Sequence, residues 1–225
     1  MENILLGLAF IIMHFTLVLL AYRFFGKTGL FVWIALATML ANIQVLKGIE
    51  IFTLQATLGN TLYGSIFLAT DILSEKYGSR DAKKAVYVGF FSMLVFLFSM
   101  QGALLFTPLA DPFAYDIQSA FELIFGLSAR IVFASLVAYL VSQLLDVTIY
   151  SKIKEKLSDD RYLWVRNNGS TLISQLIDSV IFVTIAFVGL PYNLLQILIT
   201  TYVLKLLIAI MDTPFIYLAK KIKNN

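Results

Sequence analysis

Seven long apolar runs constrain the fold of this chain more than any other feature of its sequence. Each run approaches the roughly 20 residues that an α-helix needs to cross the hydrocarbon core of a bilayer. Of the 225 residues, 60% are hydrophobic and 14% are charged, a balance typical of polytopic membrane proteins. We therefore predict an all-α transmembrane bundle in one domain, residues 1–225, with spans at about 4–22, 30–46, 54–73, 85–107, 121–145, 171–190 and 193–218.

The first of these runs is predicted to be a membrane span and not a cleaved signal peptide. It opens with Glu2 in place of a basic segment, and no small-residue cleavage site follows it. Residues 1–26 are therefore expected to form a transmembrane helix.

Lysine and arginine residues indicate how the bundle is oriented. Fourteen of the 17 lie in the odd-numbered connections or the C-terminal tail, whereas the alternate connections contain only Lys47. Because basic loops stay in the cytoplasm, this asymmetry predicts an N-terminus outside the cell and a cytoplasmic C-terminus. It also supports an odd number of spans, since one span more or fewer would disrupt the alternation.

Polar and aromatic side chains inside the runs are the candidate binding residues. Ionisable groups in such positions normally face the bundle interior or a wet cavity, and they pair with one another. Gln175 and Asp178 are three residues apart and so share a helix face. The predicted site comprises Asn60, Tyr63, Phe67, Asp71, Arg130, Gln143, Asp146, Gln175, Asp178 and Lys205.

Simpler explanations are open for several of these residues. Asp71 and Asp146 lie toward span ends, where they would mark the membrane interface. Gln143 would serve equally well as a hydrogen-bonding contact between helices, and the spacing in the third run is compatible with ordinary packing. Arg130 and Lys205 lie well inside their spans, and each needs either a counter-charge or a route by which its side chain snorkels to the interface.

Two expectations follow for these two cations. Along its own helix, Arg130 is too far from Gln143 and Asp146 to contact them. Its counter-charge must therefore come from another helix, and Asp178 is the candidate. Together with Lys205, Arg130 is expected to close a charge network around a cavity.

The sequence gives little support for catalysis. It contains no HExxH pair, GxSxG elbow, P-loop or GxGD motif. With one histidine and no cysteine, the usual nucleophile–base pairs and cysteine metal sites are missing. The net charge of +3 resides in the loops and does not indicate nucleic-acid binding. We predict no enzyme activity, metal or cofactor.

Four segments carry a resemblance to a known family. They are IFLATDILSEKYG at 66–78, RIVFASLVAYLVSQLLDV at 130–147, STLISQLIDS at 170–179 and YVLKLLIAIMDTPF at 202–215. Together they resemble the bacterial queuosine-precursor transporters, also called the vitamin uptake transporter family, over the chain from about Lys27 onward. That family is similar to the substrate-binding subunits of energy-coupling-factor vitamin transporters. The resemblance implies a core of six helices, to which this chain adds an N-terminal helix.

The resemblance also implies a cargo and a location. The cargo would be 7-cyano- or 7-aminomethyl-7-deazaguanine, or queuine, carried across the bacterial inner membrane. A guanine-like edge offers two adjacent N–H donors that a carboxylate accepts in bidentate fashion, and its flat face stacks on an aromatic ring. Asp71 with Asp178 and Gln175, against Tyr63 or Phe67, would supply those groups.

Two alternatives to a stand-alone importer are open. The first is a binding subunit that needs an ATP-driven partner, for which Ala37 and Ala41 form a small-xxx-small docking pair. The second is an intramembrane enzyme or membrane scaffold, which the missing catalytic motifs disfavour. The sequence is compatible with a homodimer in either case.

Overall fold

The computed structural model of the chain describes residues 2–51, 54–126, 129–189, 191 and 193–223. The elements are α1 Glu2–Gln44, β1 Gly48–Ile51, β2 Leu54–Thr57, α2 Gly59–Lys76, α3 Ser79–Ala103, α4 Pro112–Phe125, α5 Ala129–Lys156, α6 Leu163–Phe187 and α7 Leu194–Lys221. Within the described ranges α-helices dominate, and five of them are long and apolar enough to cross a membrane: α1, α3, α5, α6 and α7. The predicted all-α membrane bundle is thereby confirmed.

Helix α1 is a hairpin of two helical segments. At Gly26 the backbone leaves the helical region, with φ 57° and ψ −140°, a conformation that glycine adopts readily. Beyond it, Gly29 lies so close to the carbonyl of Ala21 that a Cβ would be 2.1 Å from its oxygen. The rings of His14 and Trp33 are 6.3 Å apart, whereas 19 residues of straight helix would separate them by about 28 Å. The two segments correspond to the first two predicted spans.

Helix α2 forms the centre of the bundle. It contacts α1, α3, α5 and α7, and 14 of its 18 residues are buried. At 1.5 Å per residue it is about 27 Å long, close to the thickness of the hydrocarbon core. It differs from the five helices named above in that its 18 residues include three charged ones, Asp71, Glu75 and Lys76. Together with the two segments of α1, it brings the helices of spanning length to seven.

The third predicted span, 54–73, is wrong at its start. Helix α2 begins at Gly59, and the residues before it form an antiparallel hairpin in which Gly48 pairs with Thr57. Apolar and polar residues alternate in Ile49–Glu50–Ile51 and again in Leu54–Gln55. This period of two is typical of strands, and a search for long apolar runs conceals it.

The fifth predicted span, 121–145, joins parts of two different helices. Residues 121–125 belong to α4, and α5 begins at Ala129. At 14 residues, α4 is only about 21 Å long and buries none of its residues. Asp111 caps its N-terminus, since the Asp111 carboxylate accepts from the amide of Ala114 at 2.9 Å, and Gly126 follows its last residue. The 28 residues of α5 provide the span.

Candidate functional site

A cavity of about 720 Å³ opens at one end of the bundle. Its walls come from the ends of α1 and α6, the starts of α2, α5 and α7, and the β-hairpin. This end carries the connections that are poor in lysine and arginine. The volume falls within the range of small-molecule sites. Besides the residues at its floor, the polar residues along its walls are Asn42, Thr57, Asn60, Ser135, Asn193, Gln196, Thr200 and Thr201.

An ion pair forms the floor of this cavity. Lys205 of α7 donates to Oδ2 of Asp178 of α6, and the two side chains are only 8% and 6% exposed. The hydroxyl of Ser142 donates to the other carboxylate oxygen at 2.9 Å. The Lys205 ammonium also lies 5.7 Å from the centre of the Tyr63 ring, within cation–π range. The floor therefore presents an acceptor, a donor and an aromatic face together.

A second polar cluster lies deeper in the bundle. It comprises the fully buried carboxyl groups of Asp71 on α2, Asp146 on α5 and Asp212 on α7. Asp212 is seven residues beyond Lys205, so the cluster lies about 10 Å below the cavity floor along α7. We call these three residues the acidic cluster.

Helix α6 supplies hydrogen-bond donors to each member of the acidic cluster. Thr171 donates to Asp71 at 3.4 Å, Ser174 to Asp146 at 2.8 Å and Asn167 to Asp212 at 2.5 Å. In the part of the chain that the structure describes, none of the three carboxyl groups forms an ion pair.

Two hydrogen bonds link the floor of the cavity to the acidic cluster. Ser142 of α5 donates to Asp178 of α6, and Ser174 of α6 donates to Asp146 of α5. On each helix the serine and the aspartate are four residues apart, or about one turn. The contact between α5 and α6 is thus a reciprocal pair of serine–aspartate bonds that spans the distance between the two sites.

A third polar layer closes the basic end of the bundle. Glu75 of α2 accepts from Arg166 at 3.0 Å, from Lys220 at 2.9 Å and from the Tyr150 hydroxyl at 2.9 Å. Lys154 lies 3.5 Å away. Both Glu75 and Arg166 are buried at the side chain, at 6% and 0% exposure. This layer ties α2, α5, α6 and α7 together where the cavity does not reach.

Four of the ten predicted site residues line the cavity: Asn60, Tyr63, Asp178 and Lys205. Five others are placed elsewhere in the interior. Phe67 is fully buried one turn below Tyr63, and Gln175 is buried on α6. Asp71 and Asp146 form the acidic cluster with Asp212, and Gln143 accepts from Thr70 at 3.3 Å beside it. Direct substrate contact by these five residues stays a prediction.

Arg130 does not pair with Asp178, and this expectation is wrong. Its guanidinium donates to the carbonyl oxygens of Ile185 and Val188 at the end of α6, while Lys205 occupies the carboxylate of Asp178. Unpaired carbonyls at a helix C-terminus attract cations, which explains how Arg130 is held near the start of α5. Of the two predicted network cations, only Lys205 reaches the cavity.

Several groups in and below the cavity are absent from the predicted site. Ser135, Thr200 and Thr201 line its walls, and Ser142 and Ser174 join the two sites. Serine and threonine are common inside membrane helices, so their presence alone gives no usable signal. The spacing of Ser142 from Asp146 and of Ser174 from Asp178 is the one pattern that could have identified two of them.

Comparison with known proteins identifies relatives over most of the chain. A family described as "Putative vitamin uptake transporter" matches residues 57–219. A Bacillus subtilis protein named "Probable queuosine precursor transporter" is 50% identical over 218 residues, which cover 96% of this chain and 94% of that protein.

Two more distant relatives carry related names. The Escherichia coli "Queuosine precursor transporter" is 26% identical over 80% of each chain. A Haemophilus influenzae protein named "Probable queuosine precursor transporter" is 29% identical over 60% of this chain and 54% of its own length. No solved structure matches the chain.

The family match covers more than two thirds of the residues, and it includes the helices that form the cavity floor, the acidic cluster and the layer around Glu75. The chain is a multi-pass membrane protein, and it belongs to the vitamin uptake transporter family.

Proposed function

We propose that the protein imports a 7-deazaguanine precursor of queuosine and binds it in the cavity above Asp178. The names of the three relatives support this substrate class. The observation that carries the proposal is the cavity floor, where a carboxylate, an ammonium and a tyrosine ring meet in one place. The proposal includes 7-cyano-7-deazaguanine, 7-aminomethyl-7-deazaguanine and queuine as substrates, since all three share the guanine-like edge.

The chemistry of the floor fits a guanine-like edge. The ring N–H and the exocyclic amine of such a base present two parallel donors, which the Asp178 carboxylate accepts in bidentate fashion. An ammonium has three donors, so Lys205 can keep one bond to Asp178 while it donates to the base carbonyl. Tyr63 offers a face on which the flat ring stacks, and Asn60 lies one turn above it on α2.

The position of the cavity is consistent with import. It opens at the end that is poor in basic residues, and the Glu75 layer closes the opposite, basic end. Because basic connections remain in the cytoplasm, we infer that this is an outward-open conformation in a bacterial inner membrane, with an external N-terminus and a cytoplasmic C-terminus.

The residues predicted to dock an ATP-driven partner pack inside the chain. The predicted docking residues Ala37 and Ala41 are 2% and 0% exposed within the chain. A carbon added at Gly59 would meet the carbonyl oxygen of Ala41 at 2.8 Å, so this surface packs against α2. We therefore propose a transporter that works without an ATPase subunit.

A binding and exchange experiment tests the function. In liposomes that contain the purified protein and internal 7-cyano-7-deazaguanine, labelled substrate should exchange inward. In Asp178→Asn the affinity should fall tenfold or more, because a charge-assisted hydrogen bond contributes about 1.5–3 kcal/mol. Asp116→Asn, an exposed change on α4, is the matched control.

Competition separates base recognition from non-specific apolar binding. Guanine should compete with the labelled substrate, whereas adenine should not, because it lacks the paired donors that Asp178 accepts. Equal competition by adenine, or an Asp178→Asn protein that binds like wild type, would refute the proposed site.

A further inference from the structure

The charge of the acidic cluster is uncompensated by side chains. Asp71, Asp146 and Asp212 are each 0% exposed, and the described part of the chain provides no cation to any of them. The buried carboxylates elsewhere differ: Asp178 has Lys205, and Glu75 has Arg166 and Lys220. An isolated ionised carboxylate is prohibitively costly in a medium of low dielectric, so such a group binds a proton or a cation instead.

A separate observation shows that the cluster is short of hydrogen-bond donors. Among the buried oxygens without a partner in the described residues, four belong to the cluster and to Asn167 beside it: Asp71 Oδ1, Asp146 Oδ2, Asp212 Oδ2 and Asn167 Oδ1. Asn167 is fully buried, and its amide is directed at the cluster because its nitrogen donates to Asp212. The amide nitrogen of Gln143 is the one unpaired nitrogen donor that we place beside them. Unpaired acceptors therefore outnumber donors here, and a carboxyl proton is the smallest donor that satisfies an acceptor there.

The donors on α6 identify where such a proton would reside. Thr171 donates to Asp71 and Ser174, three residues further along α6, donates to Asp146, so the two carboxyl groups lie on one face of that helix. Each keeps one oxygen without a partner among the described residues. Ionised carboxylates only accept hydrogen bonds, and a carboxyl donates only when it is protonated, so a proton on Asp71 or Asp146 would supply a donor at this position. The described residues contain no group of three acidic or histidine side chains arranged to hold a metal ion, which favours a proton over a divalent cation.

We propose that the acidic cluster, Asp71, Asp146 and Asp212, is a proton-binding site that couples import through the cavity to the transmembrane proton gradient. This proposal rests on the proposed function for its cargo, but the site itself follows from the buried carboxyl groups. The Asp71–Asp146 pair takes up a proton from the outside and releases it to the cytoplasm when the basic end opens. No covalent bond to cargo forms or breaks, and one proton crosses with each substrate molecule.

The surrounding ionisable groups are already engaged by other partners. On the side toward the basic end, α5 presents Tyr150 and α6 presents Arg166, and both bind Glu75 of α2. On the side toward the cavity, Asp178 and Lys205 pair with each other. Protonation changes in this part of the bundle are therefore expected at the acidic cluster.

The reciprocal serine–aspartate bonds provide the physical link between cargo and proton. Cargo that binds Asp178 competes for the carboxylate that Ser142 and Lys205 hold. Ser142 is one turn from Asp146 on the same helix, and Ser174, which binds Asp146, is one turn from Asp178. A shift of α5 against α6 that alters one of these bonds must alter the other, so occupancy of the cavity and protonation of the cluster change together.

The first test measures the proton without any substrate. Infrared spectra of the purified protein at neutral pH distinguish protonated carboxyl groups from carboxylates. We expect a protonated-carboxyl band that Asp71→Asn and Asp146→Asn each remove or shift, and that the exposed control Asp116→Asn leaves unchanged. Asparagine is close in shape to a protonated aspartate, so both variants should fold, which thermal unfolding would verify. If neither variant changes the band, the proton site is refuted.

The second test measures coupling in liposomes with labelled 7-cyano-7-deazaguanine. For one proton per substrate, an inward gradient of one pH unit should support up to about tenfold accumulation, and a protonophore should abolish it. In Asp71→Asn, accumulation normalised to the exchange rate without a gradient should fall at least fivefold. Normal gradient-driven accumulation by this variant, or accumulation driven by sodium in place of protons, would overturn the proposal.

The two proposals fail in different ways. If the wild-type protein exchanges no deazaguanine, the proposed cargo is wrong, and the infrared experiment still decides whether the cluster holds a proton. If exchange is normal but insensitive to a pH gradient, the cargo is right and the coupling site is wrong.

Discussion

Replacing Lys205 by methionine tests whether the ion pair at the cavity floor is a structural requirement as well as a binding element. Methionine keeps the length of the side chain but leaves the Asp178 carboxylate buried without its cation. Removing one partner of a buried pair costs about 3–5 kcal/mol. We expect the lower end, because Asp178 keeps its bond from Ser142 at 2.9 Å and borders a water-accessible cavity of about 720 Å³. For a chain of this size, about 3 kcal/mol corresponds to a decrease in Tm of about 6–12 °C.

Thermal unfolding of the purified protein in detergent, with exchange assayed in parallel, measures this effect. The double variant Lys205→Met/Asp178→Asn should recover most of the lost stability but no transport, because neither charge is then available to the base. Lys27→Met is the control, since its pair with Asp81 is partly exposed, with side chains at 42% and 27%, and should contribute less than about 1 kcal/mol. A single variant as stable as wild type, or a double variant no more stable than the single, would refute this reasoning.

Three further predictions concern packing, the basic end and topology. Gly64→Ala should lower the Tm in thermal unfolding, with a cost of about 1–3 kcal/mol, because its Cβ would lie 2.3 Å from an isoleucine methyl of α7. The control is Gly102→Ala, whose Cβ would have no atom within 4 Å and which should leave the Tm unchanged. Equal effects of the two variants would contradict the packing argument. Glu75→Gln should cost about 3 kcal/mol in the same assay, since a fully buried arginine loses its counter-charge; unchanged stability would show that the layer contributes little. The chain has no cysteine, so an introduced cysteine is the only thiol that an impermeant reagent can label. Lys223→Cys should be labelled only from the cytoplasm and Asp111→Cys only from outside. Labelling of both from one side would disprove the orientation.

The number of spans could be predicted from the sequence because bilayer thickness fixes the length of an apolar run. The residues at which each helix begins and ends were harder to predict, since the length of an apolar run carries no information about local backbone preference. The strand pattern before Gly59 and the helix break after Phe125 are both local signals inside apolar sequence. The turn at Gly26 depends on a positive φ, and a single glycine between two runs does not reveal that the segments fold back on each other.

Only part of the site could be predicted from the sequence. Spacing within one helix placed Gln175 and Asp178 on one face, but it could not show which helices are neighbours. For this reason the prediction that Arg130 pairs with Asp178 is wrong. The observed partner of Asp178 is Lys205 of α7, whereas Arg130 donates to carbonyl oxygens at the end of α6. The sequence also could not show how deep each aspartate lies below the opening of the cavity, because Asp71 and Asp178 both occur simply as polar residues within apolar runs. Their separation into a cavity floor and an acidic cluster is set by the packing of four helices.

The burial of α2 by its neighbours bears on how the chain is assembled during synthesis. A helix that carries Asp71 and Asn60 partitions poorly from the translocon into lipid by itself, since an aspartate near the middle of a span costs about 2.5–3.5 kcal/mol. The α1 hairpin emerges before α2 and is strongly apolar, so it can enter the bilayer and offer α2 a protein surface in place of lipid. The donors to Asp71 and its neighbours arrive only with α6. We therefore expect α2 to remain against α1 during synthesis until α6 has been translated.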